Sequence, residues 1–215
     1  MTDASSAAVP RKRVRLTPEQ RRAQILQVSA RLIAEHGFYG ISLQNVADAV
    51  GITQAGLLHY VRNKDGLLEM LVEQQYDRQG TPTDFVASGD PAATHPGGPS
   101  FPAYCRYLVD FNSRRPELMK LYMVLSAEAA SPAHPAHDYF ATRPTAVWQY
   151  YQQTPWRLPP SVGSFEDIQD LVELSLEAMD GIQVRVFRRP AIDMNAEWAR
   201  FDRLLFPSPV WDDYR

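Results

Sequence analysis

The segment ISLQNVADAVGITQAGLLHYVRNK, residues 41–64, decides the fold class, because it holds two short helical patterns separated by a single glycine. Ser42 and Thr53 each stand immediately before one of these patterns, where a hydroxyl side chain caps a helix. Gly51 lies between them and suits the left-handed backbone conformation that a sharp turn requires. The segment therefore predicts a helix-turn-helix, in which two short helices meet at a steep angle.

The second short helix is predicted to present small and polar residues to solvent. Leu57 and Val61 lie four residues apart, on the side that packs inward. Gly56 costs a helix about 1 kcal/mol relative to alanine, yet its lack of a side chain lets the backbone approach base edges in a DNA major groove. The pattern favours DNA binding, while a helix hairpin that merely tolerates a glycine would give the same spacing.

Helical patterns extend over nearly the whole chain. Thr17, Pro18 and Gln20 form a capping box at the start of the first helix, which is predicted to end at Gly37. Asn63 is predicted to cap a fourth helix, and further helical patterns follow residue 101. The expected fold is all-α, with about nine helices.

The composition is that of a globular protein, with 215 residues, 45% hydrophobic and 22% charged. No run approaches the roughly 18 apolar residues that a membrane span requires, and the N-terminus lacks the apolar stretch of a signal peptide. We therefore expect a cytoplasmic protein without a membrane partner.

Charge is divided unevenly along the chain. Residues 1–64 contain nine basic and four acidic side chains, a balance of +5, so the remaining residues carry −8. A basic segment attached to an acidic body indicates a module that faces nucleic acid, although a chance cluster of solvated charge would look the same. Residues 1–16 are predicted to form a basic flexible arm, which either follows a phosphate backbone, enters a minor groove or remains a solvated tail.

The run from Thr17 to Gln75 resembles the DNA-binding domain of the TetR family of bacterial transcriptional regulators, in order and in length. The resemblance rests on the first helix, the Gly-aromatic-Gly segment at 37–40, VADAVGI at 46–52 and LLHYVRNKDGLL at 57–68. It implies an N-terminal three-helix helix-turn-helix domain and a C-terminal helical domain for ligand binding and dimerisation. Family members often carry tyrosine where this chain has Leu58, so an aromatic contact with the DNA backbone is not carried over.

Individual roles in DNA binding follow from side-chain chemistry and from the resemblance. Gln54 fits a bidentate contact with adenine, and Leu58 fits a thymine methyl group. Lys64, at the start of the fourth helix, fits a phosphate together with the free N–H groups of that helix end, a role that the resemblance also implies. The predicted DNA contacts are Ser42, Gln44, Thr53, Gln54, Ala55, Gly56, Leu58, His59, Tyr60 and Lys64.

The predicted domains are the helix-turn-helix at 17–63, a connecting helix at 64–80 and a ligand-binding and dimerisation domain at 81–215. Residues 80–102 are rich in proline and glycine and are expected to form a loop or linker. The later helices are rich in aromatic residues and methionine, which suits a cavity for a small apolar or aromatic effector but also suits ordinary core packing. The predicted ligand contacts are Tyr104, Tyr107, Phe111, Tyr122, Met123, Trp148, Tyr151 and Met179.

The last two helical patterns have apolar surfaces wider than one core face needs. Paired with their two-fold mates they would form a four-helix bundle, the usual dimer interface of the resembled family. A monomer with a large core is the alternative. The predicted interface residues are Leu171, Ser175, Met179, Ile182, Val186, Trp198, Phe201 and Leu205.

Enzymatic and metal sites are not expected. His134 and His137, with Asp138 and His95 nearby in sequence, lie in proline-rich segments without a second paired motif for zinc. We therefore predict no metal, no cofactor and no enzymatic activity. The expected function is a homodimeric repressor that leaves a near-palindromic operator when a small hydrophobic effector binds. The alternatives are an activator or constitutive regulator of the same fold, and a helical small-molecule-binding protein without DNA binding.

Overall fold

The computed structural model describes residues 16–72 and 79–215, and over these residues the chain is helical with one isolated β-bridge, Ser100 with Arg157. The predicted basic arm lies outside the described residues except for Leu16, and so do residues 73–78 of the predicted connecting helix. The described helices are α1 (Pro18–His36), α2 (Leu43–Val50), α3 (Gln54–Leu58), α4 (Lys64–Leu71), α5 (Pro82–Ala87), α6 (Phe101–Ser113), α7 (Pro116–Glu128), α8 (His137–Gln152), α9 (Gln169–Arg188) and α10 (Met194–Leu205). The predicted all-α fold is confirmed.

The N-terminal helices begin and end where the sequence provides caps. The Thr17 hydroxyl accepts from the Gln20 amide at 3.2 Å, and the Gln20 side chain accepts in return from the Thr17 amide at 2.9 Å. Gly51 ends α2 with φ of 77° and donates to the carbonyl of Ala47. These local bonds satisfy helix-end groups that would otherwise lack partners, which is why the predicted boundaries agree with the structure.

The predicted linker contains a helix, α5, that the sequence interpretation missed. Thr81 and Asp84 form a capping box, with their side chains bonding each other's amides at 3.2 and 3.0 Å. Pro82 occupies the first helical position, and Phe85 is completely buried against Tyr104 and Tyr107. The expectation of a loop over this stretch was therefore wrong at α5, because the burial of Phe85 holds the segment against α6.

Two apolar cores meet along α7. The N-terminal core gathers side chains from α1 to α4, and it also contains Leu121 and Leu125 of α7 and Ala129 just beyond it. The C-terminal core contains Met119 of the same helix and packs α6, α9 and α10 together. An ion pair of 3.1 Å joins Arg106 on α6 to Asp202 on α10. Helix α7 thus belongs to both halves of the molecule.

Most residues predicted for the dimer interface lie in the core of the protomer. Ser175, Met179, Ile182 and Trp198 are each at most 3% exposed. Leu171, Val186 and Leu205 are partly buried against the same core. Ser175, Met179, Ile182 and Trp198 therefore face the protomer core and leave little surface for a partner chain. Contact of Leu171, Val186 and Leu205 with a partner stays a prediction. Phe201 is different, with 37% of its surface exposed.

Another apolar face of α9 and α10 points outward. Leu174 is 52% exposed, Leu204 is 77% exposed, and both lie on the same helix faces as Gly181 and Phe201, respectively. Arg185 and Glu197, which form an ion pair of 2.7 Å between the two helices, lie beside this face.

Among the described residues, no helix is both long and apolar enough to cross a membrane.

Candidate DNA-binding surface and ligand cavity

Helix α3 presents a short, exposed face anchored by two buried residues. Leu57 is completely buried and Val61 is 1% exposed, which holds the helix against the N-terminal core. The Thr53 hydroxyl caps the helix by accepting from the Gly56 amide at 3.0 Å. Gln54, Ala55 and the neighbouring side chains therefore project from a fixed backbone, as contact with base edges would require.

The predicted DNA contacts form one surface, although several already have partners within the chain. Those exposed to solvent are Ser42, Gln44, Thr53, Gln54, Ala55, Leu58 and His59, while Gly56, Tyr60 and Lys64 are partly buried. The Ser42 hydroxyl donates to the side-chain oxygen of Asn45 and accepts from the backbone amide of the same residue. The Gln44 amide donates to Asp48 at 2.6 Å. Ser42 and Gln44 must therefore give up or share these bonds in order to contact DNA.

Lys64 lies at the first position of α4, above an aromatic pair. Its ammonium is 4.4 Å from the centre of the Phe38 ring and 5.8 Å from that of Tyr39. Partial burial lowers the pKa of Lys64, an effect that the carboxylates of Asp65 and Glu128 oppose. The rings hold the cation beside the N-terminal end of α4, where positive charge and free N–H groups combine.

The end of α7 contacts the loop between α1 and α2, and we call this contact the junction, formed by Phe38, Tyr39, Lys64, Glu128 and His134. The Phe38 amide donates to Glu128 Oε2 at 2.8 Å. The His134 ring packs edge-on against Phe38 and Tyr39, with centroids 5.2 and 5.4 Å apart. The Tyr39 hydroxyl donates to the carbonyl of Ala133 at 3.3 Å. The junction thus fixes the loop before α2 to the C-terminal half.

Gly37 makes this approach possible. Its φ is 76°, in the left-handed region that favours glycine, and a Cβ at this position would collide with Glu128 Oε1. The glycine is therefore required both for the turn and for the carboxylate that closes over it.

His134 is held neutral within the junction. Its Nδ1 accepts from the Ala136 amide at 3.1 Å, which places the ring proton on Nε2. Nε2 lies 3.8 Å from Glu128 Oε2, and the side chain is fully buried. Burial lowers the pKa of His134, while Glu128 and Asp65 act in the opposite direction. His134 therefore contributes shape and a directed N–H group rather than charge at neutral pH.

A cavity of about 250 Å³ lies between the start of α5 and helices α6, α7, α8 and α9. Its wall includes the rings of Tyr104, Phe111 and Tyr151. The Tyr104 hydroxyl is 3.0 Å from that of Tyr151 and donates to the carbonyl of Gly80 at 2.9 Å. Burial raises the pKa of Tyr151 to about 12, so both phenols stay protonated.

Comparison with known proteins identifies the N-terminal domain. The sequence model described as bacterial regulatory proteins, tetR family, matches residues 25–71, from α1 to the end of α4. Over 70 residues the chain is 33% identical to the HTH-type transcriptional repressor KstR2 of Rhodococcus jostii (strain RHA1). The match covers 32% of this chain and 34% of that relative, so the chain spans about a third of its length. Residues 25–71 therefore have the DNA-binding domain of the tetR family.

Solved structures extend the likeness in fold to the C-terminal half. The fatty acid degradation regulator FadR from Bacillus halodurans matches with a TM-score of 0.62 at 16% identity, over 91% of this chain and 98% of that one. A tetR-family transcriptional regulator from Streptomyces coelicolor matches with a TM-score of 0.55 at 15% identity, over 88% and 80% of the two chains. At such identities the likeness shows a shared fold. The match at residues 25–71 agrees with the predicted DNA-binding domain of a transcriptional regulator.

The cavity brings together five of the eight predicted ligand residues. These are Tyr104, Phe111, Tyr122, Tyr151 and Met179. The other three, Tyr107, Met123 and Trp148, are not part of the wall. Trp148 instead stacks on Phe165, with ring centres 5.0 Å apart, and Tyr107 packs between Phe85 and Phe111.

The sequence interpretation missed the polar part of the wall, which consists of Asn112, Arg115, Arg143, Asp180 and Gln183 among others. The Tyr122 hydroxyl lies 3.5 Å from both the Asp180 carboxylate and the Arg143 guanidinium. Burial raises the pKa of Asp180, and Arg143 opposes that shift. Of these polar residues, the sequence distinguishes only Arg115, because a cation between two apolar helical patterns is unusual.

Proposed function

We propose that this chain is a homodimeric repressor that binds a near-palindromic operator and leaves it when a small molecule fills the cavity. The observation that carries the proposal is the double role of α7. Arg115, Leu118 and Tyr122 of this helix line the cavity, and Glu128 at its other end holds the Phe38 amide.

Helix α7 is suited to transmit a displacement. Its 13 residues span about 20 Å at the usual rise of an α-helix. Leu121 and Leu125 are each 2% exposed and pack in the N-terminal core with α1. A close-packed core moves as a unit rather than deforming. A ligand that shifts α7 would therefore shift the helix-turn-helix with it and misalign the two α3 helices of a dimer.

The proposed DNA contacts keep their predicted roles. Gln54, exposed at the start of α3, reads a base edge, and Leu58, which is 44% exposed, meets a thymine methyl group. Lys64 and the start of α4 hold a phosphate. If Lys64 moves from the Phe38 ring toward DNA, the junction loses one contact. Lys64 would therefore take part both in operator binding and in the junction.

The proposed dimer uses the outward face of α9 and α10, which includes Phe201 but not the buried part of the predicted stripe. Leu174, Phe201 and Leu204 expose apolar surface there, and a Cβ at Gly181 would meet no atom within 4 Å, which leaves room for close helix contact. A second copy of this chain would cover the face by two-fold pairing into a four-helix bundle. The ion pair between Arg185 and Glu197 would lie beside that bundle.

Selection of bound fragments from random DNA tests the proposal directly. We expect an enriched, near-palindromic sequence with half-sites about one helical turn, or a multiple of it, apart. The operator found in this way then serves in gel-shift titrations with small molecules. A chain that enriches no sequence, and whose weak binding follows salt concentration alone, would not be an operator-binding repressor.

A further inference from the structure

The wall of the cavity has one positive charge more than it has negative charge. Arg115 and Arg143 line it as cations, and Asp180 lines it as an anion. Arg143 and Asp180 both approach the Tyr122 hydroxyl, so their charges offset each other at one place. Arg115 has no carboxylate within ion-pair distance in the described part of the chain. The excess charge therefore belongs to Arg115.

Arg115 is held in a setting that favours an incoming anion. Its guanidinium lies 4.9 Å from the centre of the Phe111 ring, and burial lowers its pKa. The group nevertheless stays charged, because the ordinary pKa of arginine exceeds about 12. A cation that has lost part of its hydration without gaining a counter-ion raises the free energy of the empty protein. An anion in the cavity would recover that energy.

The donor arrangement beside Arg115 fits a carboxylate. Asn112, near the end of α6 and three residues before Arg115, lines the same cavity, so its side-chain amide can add a donor to this part of the wall. A guanidinium binds the two oxygens of a carboxylate through a pair of parallel hydrogen bonds. The only carboxylate that the described residues contribute to the wall, Asp180, lies near Tyr122. Tyr122 is seven residues after Arg115, which corresponds to about 10 Å along α7.

Gln183 adds a second polar side chain to the cavity wall. Its side chain lines the cavity and is only 2% exposed, and its Oε1 has no hydrogen-bond partner among the described residues. A buried polar group without a partner is unfavourable. The wall is therefore polar at Gln183 as well as at Arg115, although the Gln183 oxygen accepts hydrogen bonds and does not pair with an anion.

The volume and the remaining wall limit the size of the ligand. An apolar cavity of about 150 Å³ holds benzene, and this cavity measures about 250 Å³. The space corresponds to one ring with a short substituent. The rings of Tyr104, Phe111 and Tyr151, together with Met179, provide aromatic and sulfur contacts for such a ring.

We infer that the ligand of this cavity is a one-ring aromatic carboxylate, whose carboxylate pairs with Arg115 while its ring lies among the aromatic side chains of the wall. The inference rests on the proposed function and deepens it, because it names the chemical class of the effector. Among the apolar or aromatic effectors expected from the sequence, one without an anionic group would leave Arg115 without a counter-ion.

The test is calorimetric titration of the full chain with four acids and with the uncharged amide of each acid. The acids are benzoate, phenylacetate, 3-phenylpropanoate and 4-phenylbutanoate, which place the charge at increasing distances from the ring. At least one acid should bind about 10- to 100-fold more tightly than its own amide, as expected for a charged hydrogen-bonded pair. Equal affinity within every acid and amide pair, or no binding by any of the acids, would overturn the inference.

Two neighbouring arginines provide matched variants. Arg115→Gln should abolish the preference for acid over amide, because acid binding weakens more than amide binding, and amide binding that persists shows that the cavity is intact. Arg114→Gln should retain the preference, because Arg114 is 75% exposed, pairs with Asp110 and is not part of the cavity wall. Equal losses of acid affinity in both variants would show that the effect is one of general charge and would contradict the pairing with Arg115.

Operator binding, measured in parallel, separates this inference from the proposed function. An acid that binds with the expected preference but leaves operator affinity unchanged would support the ligand class and contradict the effector role. Neutral compounds that release the operator while the acids do not bind would support ligand-controlled repression and overturn the ligand class.

Discussion

Removal of the Glu128 side chain should weaken the attachment of the helix-turn-helix to the rest of the molecule. In Glu128→Ala the Phe38 amide, which now donates to the carboxylate at 2.8 Å, loses its acceptor. Phe38 is 2% exposed, and a buried donor without a partner costs about 1 to 3 kcal/mol. The Glu128 side chain is 28% exposed, so water can partly replace it. We therefore expect the lower half of that range, about 1 to 2 kcal/mol.

Urea unfolding followed by circular dichroism measures the loss in the free energy of unfolding. The protomer concentration is kept fixed, because the stability of a dimer depends on it. The melting temperature should fall by about 2 to 8 °C, given about 2 to 4 °C per kcal/mol for a chain of this size. Glu128→Gln retains an acceptor oxygen and should lose less than about 1 kcal/mol. Glu117→Ala, an exposed site on the same helix, should lose about 0.5 kcal/mol through its helix-end charge.

The same variant tests the coupling. If α7 transmits ligand binding to the DNA-binding domain, Glu128→Ala should reduce the ligand-dependent change in operator affinity, which is typically 5- to 150-fold in such systems. Stability losses that are equal in Glu128→Ala and Glu117→Ala, together with unchanged coupling, would refute the assignment of Glu128 as the attachment point.

Further predictions concern DNA, assembly and pH. Gln54→Ala should relax sequence preference at one position per half-site at a cost of about 1 to 3 kcal/mol, whereas Lys64→Ala should weaken all sequences alike and reduce the salt slope by about 1; competition gel shifts at several salt concentrations distinguish them. Leu204→Glu should give a folded monomer by light scattering, because Leu204 is 77% exposed in the protomer, whereas Trp198→Ala should lose about 3 to 5 kcal/mol of stability through a core cavity. The pKa of His134 is lower in the folded protein than in the unfolded chain, so the unfolded chain binds a proton at His134 more readily. The stability that His134 contributes is therefore complete above about pH 6.5, and it is lost as the pH falls through the folded pKa. His134→Gln should flatten that acid limb of a stability profile, and an unchanged limb would contradict the assignment.

Local signals explain what the sequence could predict. Helix boundaries at Thr17, Ser42 and Gly51 depend on residues only a few positions apart, so capping chemistry identifies them without knowledge of the fold. The buried anchors Leu57 and Val61 follow from helical spacing in the same way. Helix α5 was missed because its capping box stands within a stretch rich in proline and glycine, and only the burial of Phe85 distinguishes it from a loop.

Features that depend on long-range packing could not be predicted. Helix α9 carries two apolar stripes, and its sequence does not indicate that Met179 faces the protomer core while Leu174 faces outward. Glu128 meets the Phe38 amide across 90 residues of sequence. The unpaired charge of Arg115 is likewise invisible until its surroundings are known. These are tertiary relations, for which spacing along the chain carries no information.

The sharing of α7 between the two cores limits how far the DNA-binding half can act as an interchangeable module. Leu121, Leu125, Ala129 and Ala136 complete a core whose other members come from the N-terminal helices. A fragment that ends near residue 80 would expose the groove these side chains fill, and apolar surface of this kind promotes aggregation. Chimaeras that exchange sensor domains between relatives should therefore remain soluble only when α7 and the loop after it are inherited together with the helix-turn-helix.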